Sequence, residues 1–215
     1  MAPSTDRGAQ GTASLEWLFA LSALGFLLLL PLSPYPGSYI LKIVPIACLL
    51  LTVLHGSGRQ YRLIALALVF SATGDVSLEL DYFLPGLGAF LLGHLCYTAA
   101  FWGDFRWNTK TLSALAALSV CVLLMLLYLS PHLGDMRWPV YGYIAVIVAM
   151  AVAALCGGHN HALVGLGAVL FLVSDALIAI TRFAQPLPGS SYWIMTTYYC
   201  AQYLLTRDAR RGSDT

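Results

Sequence analysis

Two aspartates stand inside strongly apolar stretches of this sequence, where a charged side chain is costly. Asp75 lies in FSATGDVSLEL (residues 70–80) and Asp175 lies in FLVSDALIAI (residues 171–180). Ionisable residues within such stretches are rare, and they generally mark a functional site inside the protein. Two carboxyl groups of this kind can act as an acid and a base, relay protons, or bind a cation. We therefore treat the pair as the candidate functional centre.

Further polar side chains accompany the two aspartates in neighbouring apolar stretches. His94 and Tyr97 are three residues apart, so they share one face of a helix. Ser71 and Glu79 fall on the same helix face as Asp75, because the three are spaced by four residues. Substrate binding or support of the aspartates is the expected role here, and interhelical hydrogen bonding is the alternative. The same two roles apply to Ser174, which precedes Asp175, and to Thr197, Tyr198, Tyr199 and Gln202 on the last apolar stretch.

Several other polar residues have a plainer interpretation. Tyr141, Tyr143, His159 and His161 are interpreted as interfacial or loop residues, and the histidine pair in GHNH (158–161) is weak evidence for a metal. The five cysteines have no CxxC spacing, so we expect small buried hydrophobic residues rather than disulfides or a zinc site.

The composition places these residues in a membrane protein. Of the 215 residues 59% are hydrophobic and only 10% are charged, whereas a soluble domain has about 25% charged residues. A net charge of +1 without a long basic run argues against nucleic acid as a partner. Because backbone groups must be satisfied within lipid, we expect an all-α bundle of about eight transmembrane helices. The predicted domain covers residues 15–206, between a disordered N-terminus (1–14) and a basic tail (207–215).

Short polar or Pro/Gly-containing links separate the predicted spans. The spans are residues 15–32, 39–54, 61–80, 84–102, 111–129, 138–156, 161–181 and 190–206, of which the second and the last are short. Eight spans bring both termini to one face, and the links give that face eight of the 11 basic residues. The positive-inside rule therefore predicts cytosolic termini. The opposite face would carry Lys42, Arg137 and Arg182.

The two halves of the chain show a faint internal similarity. Each aspartate is followed by a break containing L-P-G (84–86 and 187–189) and then by another span. This pattern predicts two four-helix halves, with both carboxyl groups about 10 Å from the non-cytosolic end of their helices. Small residues at Gly86, Ala89 and Gly93 would allow two helices to approach closely.

Four short motifs in order resemble the YhhN-like membrane proteins, which include the lysoplasmalogenases. The motifs are GD at 74–75, FLLGHLCY at 90–97, SD at 174–175 and TTYYCAQYL at 196–204, and FAQPLPGSSYWIMTTYYCAQ is similar to the animal lysoplasmalogenases. The resemblance implies hydrolysis of the vinyl-ether bond of lysoplasmalogens to a fatty aldehyde and glycerophosphoethanolamine or glycerophosphocholine. It also implies that Asp75 and Asp175 are the catalytic pair.

The two carboxyl groups suit this chemistry. Cleavage of a vinyl ether begins with slow protonation of the β-carbon, which needs a carboxyl group still protonated near neutral pH. A second, ionised carboxylate can stabilise the oxocarbenium ion and deprotonate water, as in glycosidases. We therefore expect no cofactor and no metal, and a lysophospholipid substrate that enters from the bilayer.

Three other interpretations remain open at this point. A metal-dependent lipid hydrolase could use His94 with the two aspartates around zinc. A proton-coupled transporter could use the same carboxyl groups, and a non-catalytic scaffold would need neither. Eight spans without a cleavable signal suit the endoplasmic reticulum.

Overall fold

The computed structural model is helical throughout the part of the chain that it describes. It describes residues 5–103, 105, 107–157 and 162–207, and the side chains of all of these except residues 5–10 and 12. These residues contain no strand, which confirms the predicted all-α fold. The α-helices are α1 (Thr5–Leu29), α2 (Ser38–Val53), α3 (Arg59–Glu79), α4 (Phe83–Phe101), α5 (Thr109–Leu129), α6 (Arg137–Cys156), α7 (Ala162–Ala179) and α8 (Ser190–Leu205).

The helices make this a multi-pass membrane protein. Among the described residues, six helical segments are long and apolar enough to cross a membrane, and they fall in α1, α3, α4, α5, α6 and α7. The other two predicted spans correspond to α2 and α8, which have 16 residues each. These are the two stretches whose apolar runs are short in the sequence. Six of the eight predicted spans therefore reach full spanning length.

The predictions for the two ends of the chain can be compared with the structure to different extents. Helix α1 begins at Thr5, and the apolar segment within it begins at Ala13. The helix therefore reaches into segment 1–14, for which the sequence predicts disorder. Residues 208–215 of the basic tail lie outside the described residues.

The chain divides into two compact units. One unit is Met1–Ala100 together with Thr206–Thr215, and the other is Phe101–Leu205. The first holds α1 to α4 and the second holds α5 to α8, apart from the last residue of α4. This division agrees with the two four-helix halves predicted from the sequence.

In the first unit, α2 packs between its neighbours in the chain, α1 and α3. Helices α3 and α4 also approach closely, because glycines replace larger side chains at their contact. A methyl group at Gly93 would lie 3.3 Å from the Ala67 carbonyl oxygen and 3.4 Å from the Ser71 hydroxyl. One at Gly86 would meet the Leu78 side chain at 2.8 Å. The small-residue strip predicted on α4 thus lies against α3.

In the second unit, α7 and α8 pack closely against each other. A methyl group at Gly167 would lie 3.1 Å from both the Ala201 carbonyl oxygen and the Leu205 nitrogen, so the two backbones are in contact there. The rings of Phe171 and Tyr198 meet edge to face at 5.4 Å across the same interface. Helix α7 continues into a π-helical segment, Ile180–Ala184, before the loop to α8.

Candidate active site

In the first unit Asp75 belongs to a buried cluster of charged side chains between α2 and α3. The Lys42 ammonium on α2 lies 3.9 Å from Asp75 Oδ1 and 3.2 Å from Glu79 Oε2 on α3. Lys42, Asp75 and Glu79 have side-chain exposures of only 10%, 4% and 12%. Because charges in an apolar interior are costly unless they are paired, this arrangement holds one cation against two carboxyl groups.

Three side chains bind the Glu79 carboxylate, which is more than a supporting residue at the edge of a site would need. Its Oε1 accepts hydrogen bonds from the hydroxyls of Ser33 at 2.7 Å and Ser38 at 2.6 Å, while Oε2 receives the Lys42 ammonium. Ser38 and Lys42 are one turn apart on α2, so a single helix face supplies two of the three donors. Glu79 therefore anchors the start of α2 to the end of α3.

Lys42 is a site residue that the sequence interpretation missed, because we assigned it to the non-cytosolic surface. It is buried instead, and it contacts the carboxyl groups of α3. A signal was present in the sequence, since Lys42 stands in an apolar stretch just as Asp75 does, and the same cost of burial applies to both.

The other residues nominated near Asp75 are buried in the same unit. His94 and Tyr97, which are predicted to share a helix face, are 1% and 0% exposed on α4. Ser71 on α3 is also buried, and its hydroxyl faces Gly93, the residue before His94. The predicted face of α3 that carries Ser71, Asp75 and Glu79 is therefore turned into the unit.

In the second unit Asp175 is bound by a tyrosine. The Tyr143 hydroxyl on α6 donates a hydrogen bond of 2.5 Å to Asp175 Oδ2 on α7. Tyr143 is buried and Asp175 is half-buried. The interpretation of Tyr143 as an interfacial or loop residue is therefore wrong: its ring packs inside the unit, where its hydroxyl meets the carboxyl group.

Tyr141, two residues earlier, is half-buried, and its hydroxyl is 2.8 Å from the Ser130 hydroxyl. His159 and His161 lie outside the described residues.

The remaining nominated residues link α7 and α8 or stabilise α8 itself. The Ser174 hydroxyl donates to the Ile194 carbonyl oxygen at 3.1 Å, which joins the two helices beside Asp175. Thr197 donates to the Trp193 and Ile194 carbonyl oxygens of its own helix. Tyr198, Tyr199 and Gln202 are buried, and the two tyrosine rings lie 5.6 Å apart.

The nominated residues thus fall into two sets, one in each unit. The first set contains Asp75, Ser71, Glu79, His94 and Tyr97, and the second contains Asp175, Ser174, Thr197, Tyr198, Tyr199 and Gln202. In each unit the second helix places a buried side chain beside the aspartate of the third helix. Lys42 forms an ion pair with Asp75 at 3.9 Å, and Tyr143 donates a hydrogen bond to Asp175. Each aspartate also lies about one turn before the last α-helical residue of its helix.

The five cysteines are free thiols. Cys48 and Cys156 are buried and Cys96 is half-buried, as expected of small hydrophobic residues, whereas Cys121 and Cys200 are exposed on α5 and α8. Within the described ranges, no three His, Cys, Asp or Glu side chains are grouped closely enough to hold a metal ion.

Comparison with known proteins identifies the relatives of the chain. The model of the YhhN family matches residues 37–209. A human protein named lysoplasmalogenase TMEM86B is 39% identical over 176 residues, which cover 80% of this chain and 75% of the relative. Lysoplasmalogenase TMEM86A of Bos taurus is 35% identical over 212 residues, covering 89% of this chain and 86% of the relative.

A bacterial relative shares the name lysoplasmalogenase with the two mammalian proteins. A protein of Mycobacterium tuberculosis named lysoplasmalogenase is 35% identical over 163 residues, covering 72% of this chain and 62% of the relative. No solved structure matches the chain. The matched residues include both aspartates, Lys42 beside Asp75, Tyr143 beside Asp175, and the residues nominated around them. The chain belongs to the YhhN family.

Proposed function

We propose that this protein hydrolyses the vinyl-ether bond of lysoplasmalogens and releases a fatty aldehyde and glycerophosphoethanolamine or glycerophosphocholine. The observation that carries the proposal is the similarity to relatives named lysoplasmalogenase, which extends over 80–89% of the chain in the human and bovine proteins. The multi-pass helical architecture supports it, because the substrate is a lipid that would reach the enzyme from the bilayer.

In the proposed reaction Asp75 and Asp175 are the acid and the base. A carboxyl O–H gives its proton to the β-carbon. The π electrons of the vinyl ether form the new C–H bond, which leaves an oxocarbenium ion at the carbon that bears oxygen. The ionised carboxylate stabilises that cation and takes a proton from the attacking water. In the collapse of the hemiacetal, the carboxylate left by the acid takes the hemiacetal O–H proton, while the protonated base gives its proton to the leaving glycerol oxygen. The aldehyde and the free glycerol hydroxyl form, and both carboxyl groups regain their starting states.

The surroundings of each aspartate support this role. Asp75 lies beside the Lys42 ammonium and one turn from Glu79, so a cation and a second carboxyl group share its buried surroundings. Asp175 accepts a hydrogen bond from the Tyr143 hydroxyl, which favours a fixed orientation of the carboxyl group. His94, Tyr97, Tyr198 and Gln202 are buried polar groups suited to holding water or the head group. Both termini would lie in the cytosol, with the endoplasmic reticulum as the proposed membrane.

The direct test is aldehyde release by the purified protein in detergent. We expect turnover of a 1-alkenyl lysophospholipid and none of an ester-linked lysophospholipid, because ester hydrolysis needs a nucleophile or water attack at a carbonyl carbon instead. Asp75→Asn and Asp175→Asn should each lower turnover by about 100-fold or more while membrane insertion is retained. Asp135→Asn is the matched control, because Asp135 is exposed in the link before α6. Near-normal turnover by both single variants would exclude the pair.

A proton-coupled transporter is the second candidate. The division into two four-helix units, each with an aspartate on its third helix, is an arrangement that transporters also use. Substrate-dependent proton flux into liposomes without aldehyde formation would identify this function.

A further inference from the structure

We propose that Tyr143 is a positioning residue for Asp175, whose carboxyl group it holds in the orientation needed for proton transfer. This inference rests on the proposed function and adds a residue of α6 to it.

The geometry fixes the Tyr143 hydroxyl against Asp175 from a packed ring. The Tyr143 hydroxyl donates a hydrogen bond to Asp175 Oδ2 at 2.5 Å. The tyrosine is only 7% exposed, and α6 packs directly against α7. Because a tyrosine side chain has few rotatable bonds, a packed ring leaves its hydroxyl little freedom.

A carboxyl group on a helix can otherwise rotate about its own side-chain bonds. Acid–base catalysis at carbon requires the reacting oxygen at close range and in line with the bond that forms. A donor fixed to one carboxyl oxygen restricts that rotation. It also stabilises negative charge on Asp175 without transferring its own proton, since a phenol is a weak acid. Tyr143 thus acts through Asp175 and needs no contact with the substrate.

The experiment compares two tyrosines of the same helix in the full-length protein. Tyr143→Phe removes one hydroxyl and keeps the ring. Tyr141→Phe removes the hydroxyl that lies 2.8 Å from Ser130 Oγ, a contact that does not involve Asp175. Aldehyde release from a 1-alkenyl lysophospholipid gives kcat and KM for each, and thermal unfolding reports the folded fraction.

We expect Tyr143→Phe to lower kcat by about 10- to 100-fold, as loss of a charge-assisted hydrogen bond predicts, with KM changed less than about twofold. Tyr141→Phe should keep kcat within about twofold of the wild type. In the Asp175→Asn background, Tyr143→Phe should lower the residual activity no further, because the two residues act as one unit. Wild-type kcat in Tyr143→Phe, an equal loss in Tyr141→Phe, or additive losses with Asp175→Asn would each overturn the inference.

An infrared measurement tests the same contact without turnover. The difference spectrum between wild type and Tyr143→Phe should show a shifted carboxyl band that disappears when both proteins carry Asp175→Asn. Absence of the shift would overturn the inference even if the wild type is active. A wild type that releases no aldehyde would instead contradict the proposed function, and the catalytic role of Tyr143 with it, even when the shift is present.

Discussion

Removal of the Lys42 charge is the sharpest test of the cluster between α2 and α3. Lys42→Met keeps most of the side-chain volume but leaves Glu79 and Asp75 without their cation. Breaking a buried ion pair by deleting one partner costs about 3–5 kcal/mol, because the remaining charge is left uncompensated. For a chain of this size that corresponds to a fall in Tm of about 6–20 °C.

The double variant Lys42→Met/Glu79→Gln separates the charge from the packing. It removes both members of the 3.2 Å pair, while the amide oxygen introduced at position 79 can still accept from Ser33 and Ser38. Removal of both partners of a buried pair costs less than removal of one partner, because neither charge of the pair is left uncompensated. Asp75 still loses the ammonium, so the recovery should be incomplete. We therefore expect the double variant to recover more than half of the stability that the single variant loses.

The assay is thermal unfolding of the purified protein in detergent, with Lys110→Met as the control. Lys110 is exposed at the start of α5, so its loss should change the free energy of unfolding by no more than about 0.5 kcal/mol. Wild-type stability in Lys42→Met would show that the ammonium does not compensate the carboxyl groups. A double variant as unstable as the single one would show that the lost packing of Lys42 matters more than its charge.

Two further predictions concern the α7–α8 interface and the cofactor requirement. Gly167→Ala should destabilise the protein by about 1–3 kcal/mol, because its methyl group would meet the α8 backbone at 3.1 Å. The control is Gly142→Ala on α6, where the added methyl group meets nothing within 4 Å, so this variant should be neutral or stabilising by up to about 1 kcal/mol. Equal thermal unfolding of the two variants would contradict the close contact between α7 and α8. Aldehyde release should persist in excess EDTA, because the proposed mechanism assigns every proton transfer to side chains and water; a loss restored by added zinc would favour the metal-dependent hydrolase.

The helices and the two aspartates could be predicted from the sequence for related reasons. The length of an apolar run decides whether it can form a spanning helix, so the six longest runs correspond to full-length helices and the two short ones to α2 and α8. The cost of burying a carboxyl group singles out Asp75 and Asp175 without any knowledge of their partners.

The partners themselves could not be predicted, because they depend on the rotation of one helix against another. A lysine near the end of an apolar helix commonly extends to the membrane surface, and Lys42 looks like such a residue in sequence. Only the packing of α2 on α3 turns it towards Glu79. Tyrosine is likewise common at membrane interfaces, so Tyr143 could not be distinguished from Tyr141 by residue type. Their different contacts, with Asp175 and Ser130, follow from the register of α6.

The pairing of Lys42 with Glu79 also has a consequence for biogenesis. Helix α2 is short and contains Lys42, about one turn after its start, and Pro45, and a lysine charge within an apolar span opposes membrane insertion. Its counter-charge is on α3, the next segment to leave the ribosome. If α2 and α3 left the translocon together as a helical hairpin, Glu79 would pair with the Lys42 ammonium before that charge reached the hydrocarbon of the bilayer. We therefore expect α2 to integrate poorly until α3 has been synthesised.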